Sequence, residues 1–265
     1  DKYLEDRPML SPSTRRSYQC IRNSAFPGCM DKDIRSINWP RAVASESQRV
    51  AKKTLKNELG FVAAAYKEQK IPFDPVDLGV VPKADTPWLD YAQILTFVDA
   101  IRDTPVELPA LLALHSLRRS EIFALRPVDI DLKAETISVS GATVYTSSAE
   151  WIRREENKSA RSQRVVPIVI PRLLEILQDH NGDICPLGDG VRRQINRICA
   201  ANDLPEVGLH GLRRSFASLA YHLGWSEEET MRHGGWSDWK TVHDFYLRLS
   251  EKDPSKAAKK MRRFY

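Results

Sequence analysis

The sequence has no run of about 20 apolar residues, the length a membrane-spanning helix needs, so no membrane partner is expected. Its opening, DKYLEDRPML, holds no apolar signal-peptide core. It also begins without methionine, which fits a fragment or a processed chain and leaves room for a preceding domain. Cysteine is scarce: Cys20, Cys29, Cys185 and Cys199 form no CxxC pair, and no His/Cys cluster has zinc-ligand spacing. Reduced thiols in a cytoplasmic protein are the expected state. There is no internal repeat, and no carboxylate cluster of the two-metal type. Neither metal nor cofactor is therefore expected. Charge of one sign is not in large excess either. Forty Lys and Arg against 35 Asp and Glu give +5 and a pI of about 9.0. That balance permits a polyanionic partner, and any positive surface must come from segregation of charge.

What is present is an ordinary globular composition, 42% hydrophobic and 28% charged over 265 residues, enough for two domains or one large one. The stretch 11–26 opens with Ser and Thr cap candidates and continues with Tyr18, Ile21 and Ala25 at helical spacing. Over 45–70, Val50, Leu55, Leu59, Val62 and Tyr66 form one apolar stripe of a helix. Lys52, Lys53 and Lys56 lie off that stripe, a plain solvated face unless the domain sits on nucleic acid. Pro72, Pro75, Pro82 and Pro87 then interrupt the helical period, and 71–88 reads as interdomain linker. Helices are expected again over 86–103 and 109–127, strands over 135–145 and 163–170 with a hairpin region between them, and helices from 171 onward. The expected fold is mainly α with a small antiparallel β-sheet. A helical domain spans 1–80, a linker 81–88, an α+β domain 89–250, and a basic tail 251–265, which either frays or docks on a neighbour.

Four places carry candidate chemistry. In LHSLRRSEIFAL, Arg118 and Glu121 sit at i, i+3 among core-type leucines. They are either a surface ion pair or a guanidinium, steered by a carboxylate, that offers a planar fork to a phosphate. In LHGLRRSF, His210 and Arg213 share a face near a helix start, which suits an anion or is simply a helix with a local histidine and two solvated arginines. Lys158 lies where a hairpin turn is expected and reads either as an exposed loop lysine or as one that reaches outward. In RHGGWSDWKTVHDFYLRLS, Trp236 precedes Tyr246 by ten residues. Taken alone, that tyrosine is better explained by packing than by chemistry.

In this order, Arg118, Lys158, His210, Arg213, Trp236 and Tyr246 resemble the active-site set of the tyrosine recombinases, the phage and transposon integrases. SLRRSEIFAL matches the first arginine box, with Ser116 where a glycine is usual. Lys158 precedes RVVPI as the hairpin lysine precedes its strand, HGLR matches the His-x-x-Arg box, and Gly235-Trp236 matches the histidine-or-tryptophan box. His233 and His243 compete with Trp236, which the Gly-Gly-Trp context favours. Phe245, not Tyr246, falls at the usual spacing of nine.

The resemblance implies a helical core-binding domain joined to a catalytic domain that cleaves and rejoins DNA through a 3′-phosphotyrosyl link to Tyr246. Arg118 and Arg213 would neutralise the phosphoryl oxygens, His210 handle the phenol proton, Lys158 protonate the leaving 5′-oxygen, and Trp236 donate an indole N–H. Glu121 would orient its neighbours, and Lys52, Lys53 and Lys56 would meet DNA. Double-stranded DNA, a homotetramer on paired sites and accessory DNA-bending proteins are the implied partners, in the cytoplasm of a bacterial host. An arm-binding domain upstream would fit the same pattern. The rival readings are a catalytically inactive DNA-binding protein on the same fold and a type IB topoisomerase.

Overall fold

The computed structural model describes residues 2–29, 31–81, 86–146, 150–154, 163–180, 184–185 and 190–252. Lys158, Pro82 and the tail from 253 lie outside the described residues. The chain divides into two compact units, residues 1–85 with 144–152, and residues 86–143 with 153–265. No helix among the described residues is long and apolar enough to cross a membrane.

The first unit contains helices α1 (Lys2–Glu5), α2 (Pro12–Ser24), α3 (Trp39–Glu46) and α4 (Lys52–Glu68). The apolar stripe expected over 45–70 is there, with Leu55, Leu59, Val62 and Tyr66 buried. The helix itself starts later, because 39–46 forms a separate helix capped by the Asn38 side chain. Tyr66 fixes the surrounding loop, donating to the Ile34 carbonyl at 2.6 Å and accepting from Trp39 Nε1 at 2.7 Å. Lys52, Lys53 and Lys56 are exposed in the opening turns of α4. That turn has no acidic residue, and its N-cap, Ala51, makes no side-chain cap bond.

The second unit contains helices α5 (Tyr91–Ala100), α6 (Glu107–Leu114) and α7 (Arg119–Ile122), then a 3-10 turn at Pro127–Asp129. Strands β1 (Ile130–Asp131), β2 (Thr136–Val139), β3 (Ala142–Tyr145), β4 (Trp151–Arg154) and β5 (Arg164–Pro167) follow, and β3 and β4 run on into the residues that group with the first unit. Helices α8 (Pro171–Asp179), α9 (Gly190–Ala201), α10 (Leu209–Leu223), α11 (Glu227–Gly234) and α12 (Trp239–Lys252) complete it. Antiparallel pairing gives a sheet in the order β1-β2-β5, and β3 pairs with β4. Ile137, Val139 and Val166 face the core, with Ile137 opposite Val166 and Val139 opposite Arg164. Helix α6 is buried along its whole length and packs on α10. The sheet and α5, α8 and α9 close the same core.

One expected helix is broken. Residues 109–127 do not run through as a single helix: α6 ends at Leu114, and Ser116 takes a left-handed φ of 78°. Arg118 then caps α7 from an extended conformation, and the Glu121 carboxylate accepts the Arg118 backbone N–H at 2.8 Å. The pair first read as neighbours on a helix face is thus a helix-start cap. A glycine would adopt the Ser116 conformation without strain. For an L-residue it costs about 1–2 kcal/mol, and the Ser116 hydroxyl is buried with no hydrogen-bond partner. Ser116→Gly is expected to stabilise the fold by about 1 kcal/mol, read as a higher urea midpoint at unchanged slope.

Candidate active site

The second unit gathers three guanidinium groups at the C-terminus of α11. A helix leaves its last carbonyls without partners inside the helix. Here Gly235, at φ 60°, turns the chain so that its own N–H and that of Trp236 return to the carbonyls of Arg232 and Met231. The next three carbonyls each meet a different arginine. His233 O accepts from Arg164 Nε at 3.4 Å, Gly234 O from Arg213 Nη2 at 2.7 Å, and Gly235 O from Arg118 Nη2 at 2.7 Å. The Ser116 carbonyl, exposed by the left-handed turn, accepts from Arg213 Nη1 and from Arg164 Nη2.

Glu121 is the carboxylate at the centre of this cluster, and it is 2% exposed. Burial alone would raise its pKa. The hydrogen bonds and charge of Arg164, then the backbone N–H and charge of Arg118, outweigh that and hold it below the usual carboxylate range. Three guanidinium charges against one carboxylate leave the cluster short of negative charge. Arg213, 2% exposed, feels this most: burial first, then the Arg118 charge, pushes it down to about 9, still cationic at neutral pH. His210, one turn before Arg213 on α10, is exposed. Partial dehydration and then the charges of Arg214, Arg213 and Arg118 lower its pKa, so its imidazole is neutral at pH 7.

Trp236 lies under Arg213, whose guanidinium carbon is 4.6 Å from the ring centroid. Gly234 makes room for it, since a Cβ there would collide with the indole. His233 sits elsewhere. It stacks on Phe216 and His115, and its Nε2 lies 3.0 Å from His115 Nδ1. The backbone N–H of Val169 donates to His115 Nε2 at 3.0 Å. His115 therefore carries its proton on Nδ1 and donates to His233. His243 stacks on Trp239 and bonds Glu227.

The structure thus brings together Arg118, Glu121 and Arg213 around the Trp236 turn, with His210 within their electrostatic reach. It does not bring Tyr246 to them. Tyr246 is 8% exposed, and its hydroxyl lies 2.5 Å from Thr230 Oγ1 and 3.4 Å from the Trp225 carbonyl. Its ring meets Tyr221 edge-on. Burial raises its pKa, the Thr230 hydrogen bond opposes this, and Glu227, Glu229 and Tyr221 add to the rise. Phe245, about 100° away round α12, shares a cluster with Trp236 and packs on Trp88. Sequence reasoning missed Arg164: Val165 and Val166 are both apolar, so its inward direction shows only in the pairing of Arg164 with Val139.

Comparison with known proteins places the fold. The Tn1549 transposon integrase, solved in complex with transposon right end DNA, matches over 97% of both chains at a TM-score of 0.72 and 15% identity. A lambda integrase tetramer bound to a Holliday junction matches over 92% of this chain and 75% of its own, at 0.64 and 16%. XerA recombinase matches over 98% of both chains at 0.52 and 17%. The fold is that of the tyrosine recombinases. No family model matches the sequence, and no curated protein sequence does either.

Within the recombinase fold, the His115–His233 pair forms a dry wall behind the arginines. Burial pushes His115 down to about 4, and burial with the charges of His115 and Arg164 pushes His233 down to about 3. Unfolded imidazoles titrate near 6.5. The unfolded chain therefore binds more protons than the folded one as pH falls below about 6.5. Stability contributed by the neutral pair is full above that pH and declines steadily down to about pH 3. Urea titrations at stepped pH are expected to show this decline, with a smaller slope in His233→Phe.

Proposed function

We propose that this chain is a site-specific DNA recombinase of the integrase type, which cleaves and rejoins strands through a 3′-phosphotyrosyl intermediate. The observation that carries the reading is the guanidinium cluster: three arginines with one carboxylate, fixed by backbone carbonyls before any substrate arrives. Such preorganised positive charge is what a phosphoryl group needs as its oxygens gain charge in the transition state. Planar, permanently charged forks suit those oxygens better than lysine.

In this reading the Tyr246 hydroxyl oxygen attacks phosphorus, and the bond from phosphorus to the 5′-oxygen breaks. His210 takes the phenol proton, in keeping with its neutral imidazole. Lys158 supplies the proton that turns the leaving oxygen into a 5′-hydroxyl. Arg118 and Arg213 hold the non-bridging oxygens, and the Trp236 indole N–H donates one further bond. A hydroxyl from a second DNA strand reverses the step, so the phosphoester bond energy is kept. The buried, hydrogen-bonded state of Tyr246 implies that α12 turns or shifts to deliver the phenol.

The first unit supports DNA binding in its own way. Lys52, Lys53 and Lys56 stand at the positive end of the α4 dipole, where cations are unfavourable and an anion is favoured. A DNA phosphate would relieve that arrangement. A homotetramer on paired duplex sites, assisted by DNA-bending proteins in a bacterial cytoplasm, completes the proposal.

Nicked suicide DNA that traps the covalent intermediate is the direct test. Wild-type protein is expected to form a protein–DNA adduct and Tyr246→Phe none. No adduct from the wild type, or one from Tyr246→Phe, sinks the assignment. A second expectation concerns the resting state. Thr230→Val removes a hydrogen bond worth about 1 kcal/mol from the buried phenol. Single-turnover adduct formation is then expected to quicken by about fivefold.

A further inference from the structure

The alternation of β5 puts Arg164, Val166 and Ile168 on the inward side and Val165 on the outward side. Val166 is fully buried, Ile168 is 8% exposed and Val165 is 65% exposed, as that alternation requires. Arg164 therefore occupies a core position, opposite buried Val139, where an aliphatic residue would ordinarily stand. Its side chain is 8% exposed. A guanidinium is placed there only if every bond it makes is worth the loss of hydration.

Its bonds reach every part of the arginine cluster. Nη1 donates to Glu121 Oε1 at 3.2 Å and Nη2 to Glu121 Oε2 at 3.1 Å. The opposite side of the same carboxylate takes Arg118, Nη1 on Oε1 at 2.6 Å and backbone N on Oε2 at 2.8 Å. Each carboxylate oxygen thus accepts two bonds, which fills its capacity. Arg164 also reaches the carbonyls of Ser116 and His233. Gly235 is shaped to admit it, since a Cβ there would stand 2.9 Å from the Arg164 Cζ.

We propose that Arg164 is a positioning residue of the active site: by gripping the far side of Glu121 it fixes the carboxylate that aims Arg118. The Arg118 side chain is 35% exposed, open to a ligand on one side and held on the other by Glu121 and Gly235 O. If Arg164 is lost, Glu121 keeps only its two bonds to Arg118, the pair loses its anchor on β5, and carboxylate and guanidinium can shift together. A group that orients a directly acting residue in this way commonly carries a 10- to 100-fold effect, by analogy with the partners that orient metal ligands, roughly the size expected here.

This inference rests on the recombinase reading, and two measurements keep their failures apart. The first is single-turnover adduct formation on nicked suicide DNA by the wild type, Arg164→Met and Arg164→Lys. Arg164→Met is expected to slow the adduct by about 10- to 100-fold with DNA affinity within about twofold of wild type. Arg164→Lys, which keeps one charged bond to Glu121, is expected to recover part of the rate. The second needs no activity: the NMR resonance of the Arg118 Nε–H group, assigned by its loss in Arg118→Lys. It is expected to be sharp in the wild type, shifted or broadened in Arg164→Met, and partly restored in Arg164→Lys. An unchanged Arg118 resonance in folded Arg164→Met overturns the positioning role. So does a wild-type rate in that variant, or a loss of thermal stability shared equally by both variants with no difference between them in rate or resonance. Should Arg164→Met not fold, Arg164→Lys alone decides, with unaltered rate and resonance counting against the proposal. An inactive wild type with an Arg164-dependent Arg118 resonance would reject the recombinase reading and leave the positioning role standing.

Discussion

The second unit depends on a helix end that cannot satisfy itself. Around the left-handed turn at Gly235, the carbonyls of His233, Gly234 and Gly235 lack partners within α11, and three arginines from α10, β5 and the start of α7 supply them. Each partner is cationic and meets the negative end of a helix dipole. The same contacts lock four elements that are distant in sequence. Arg118 and Gly235 are 117 residues apart, and Arg164 and His233 are 69 apart. The positive charge of the site is thus a by-product of capping, and its geometry is set before any anion approaches.

Burial sharpens the effect. Glu121 cancels only part of the charge, and Arg213 is held away from water over the Trp236 ring. An interior of low effective dielectric makes each uncompensated charge count for more than it would in solvent. The neutral histidine pair and Phe216 contribute by excluding water without adding charge. Local strain belongs to the same design. The left-handed Ser116 ends α6 early and turns its carbonyl toward two of the arginines.

Much of this was legible in residue order. Periodicity located α2, the apolar stripe of α4, α8 and α10; Arg118 with Glu121 and His210 with Arg213 read as two separate candidates, joined only by the resemblance, and the fold brings Arg118, Glu121 and Arg213 together. The misreadings have local physical causes. Residues 109–127 carry helical periodicity throughout, but tertiary bonds to the Ser116 carbonyl override propensity and split the segment. The stretch 135–145 reads as one β-rich run, while the backbone divides it between two pairings. Arg164 was passed over because a charged residue in a strand is ordinarily outward. Only the register against Val139 reveals that it points in. The neighbours of Tyr246 could not be read at all. Thr230, Trp225 and Tyr221 are brought to it by the packing of α10, α11 and α12, which no local pattern encodes.

The adjacency of Phe245 and Tyr246 on α12 has a consequence for timing. Phe245 belongs to the cluster that Trp236 packs against, and the neighbouring face holds a hydroxyl against Thr230. A turn of α12 by about 100° about its own axis would exchange these two faces. The arginines and Glu121 already hold one another, and Tyr246 is the described member of the predicted set that stands apart from them. On the recombinase reading, the timing of strand cleavage would lie with the placing of the phenol and not with the charge that receives the phosphate.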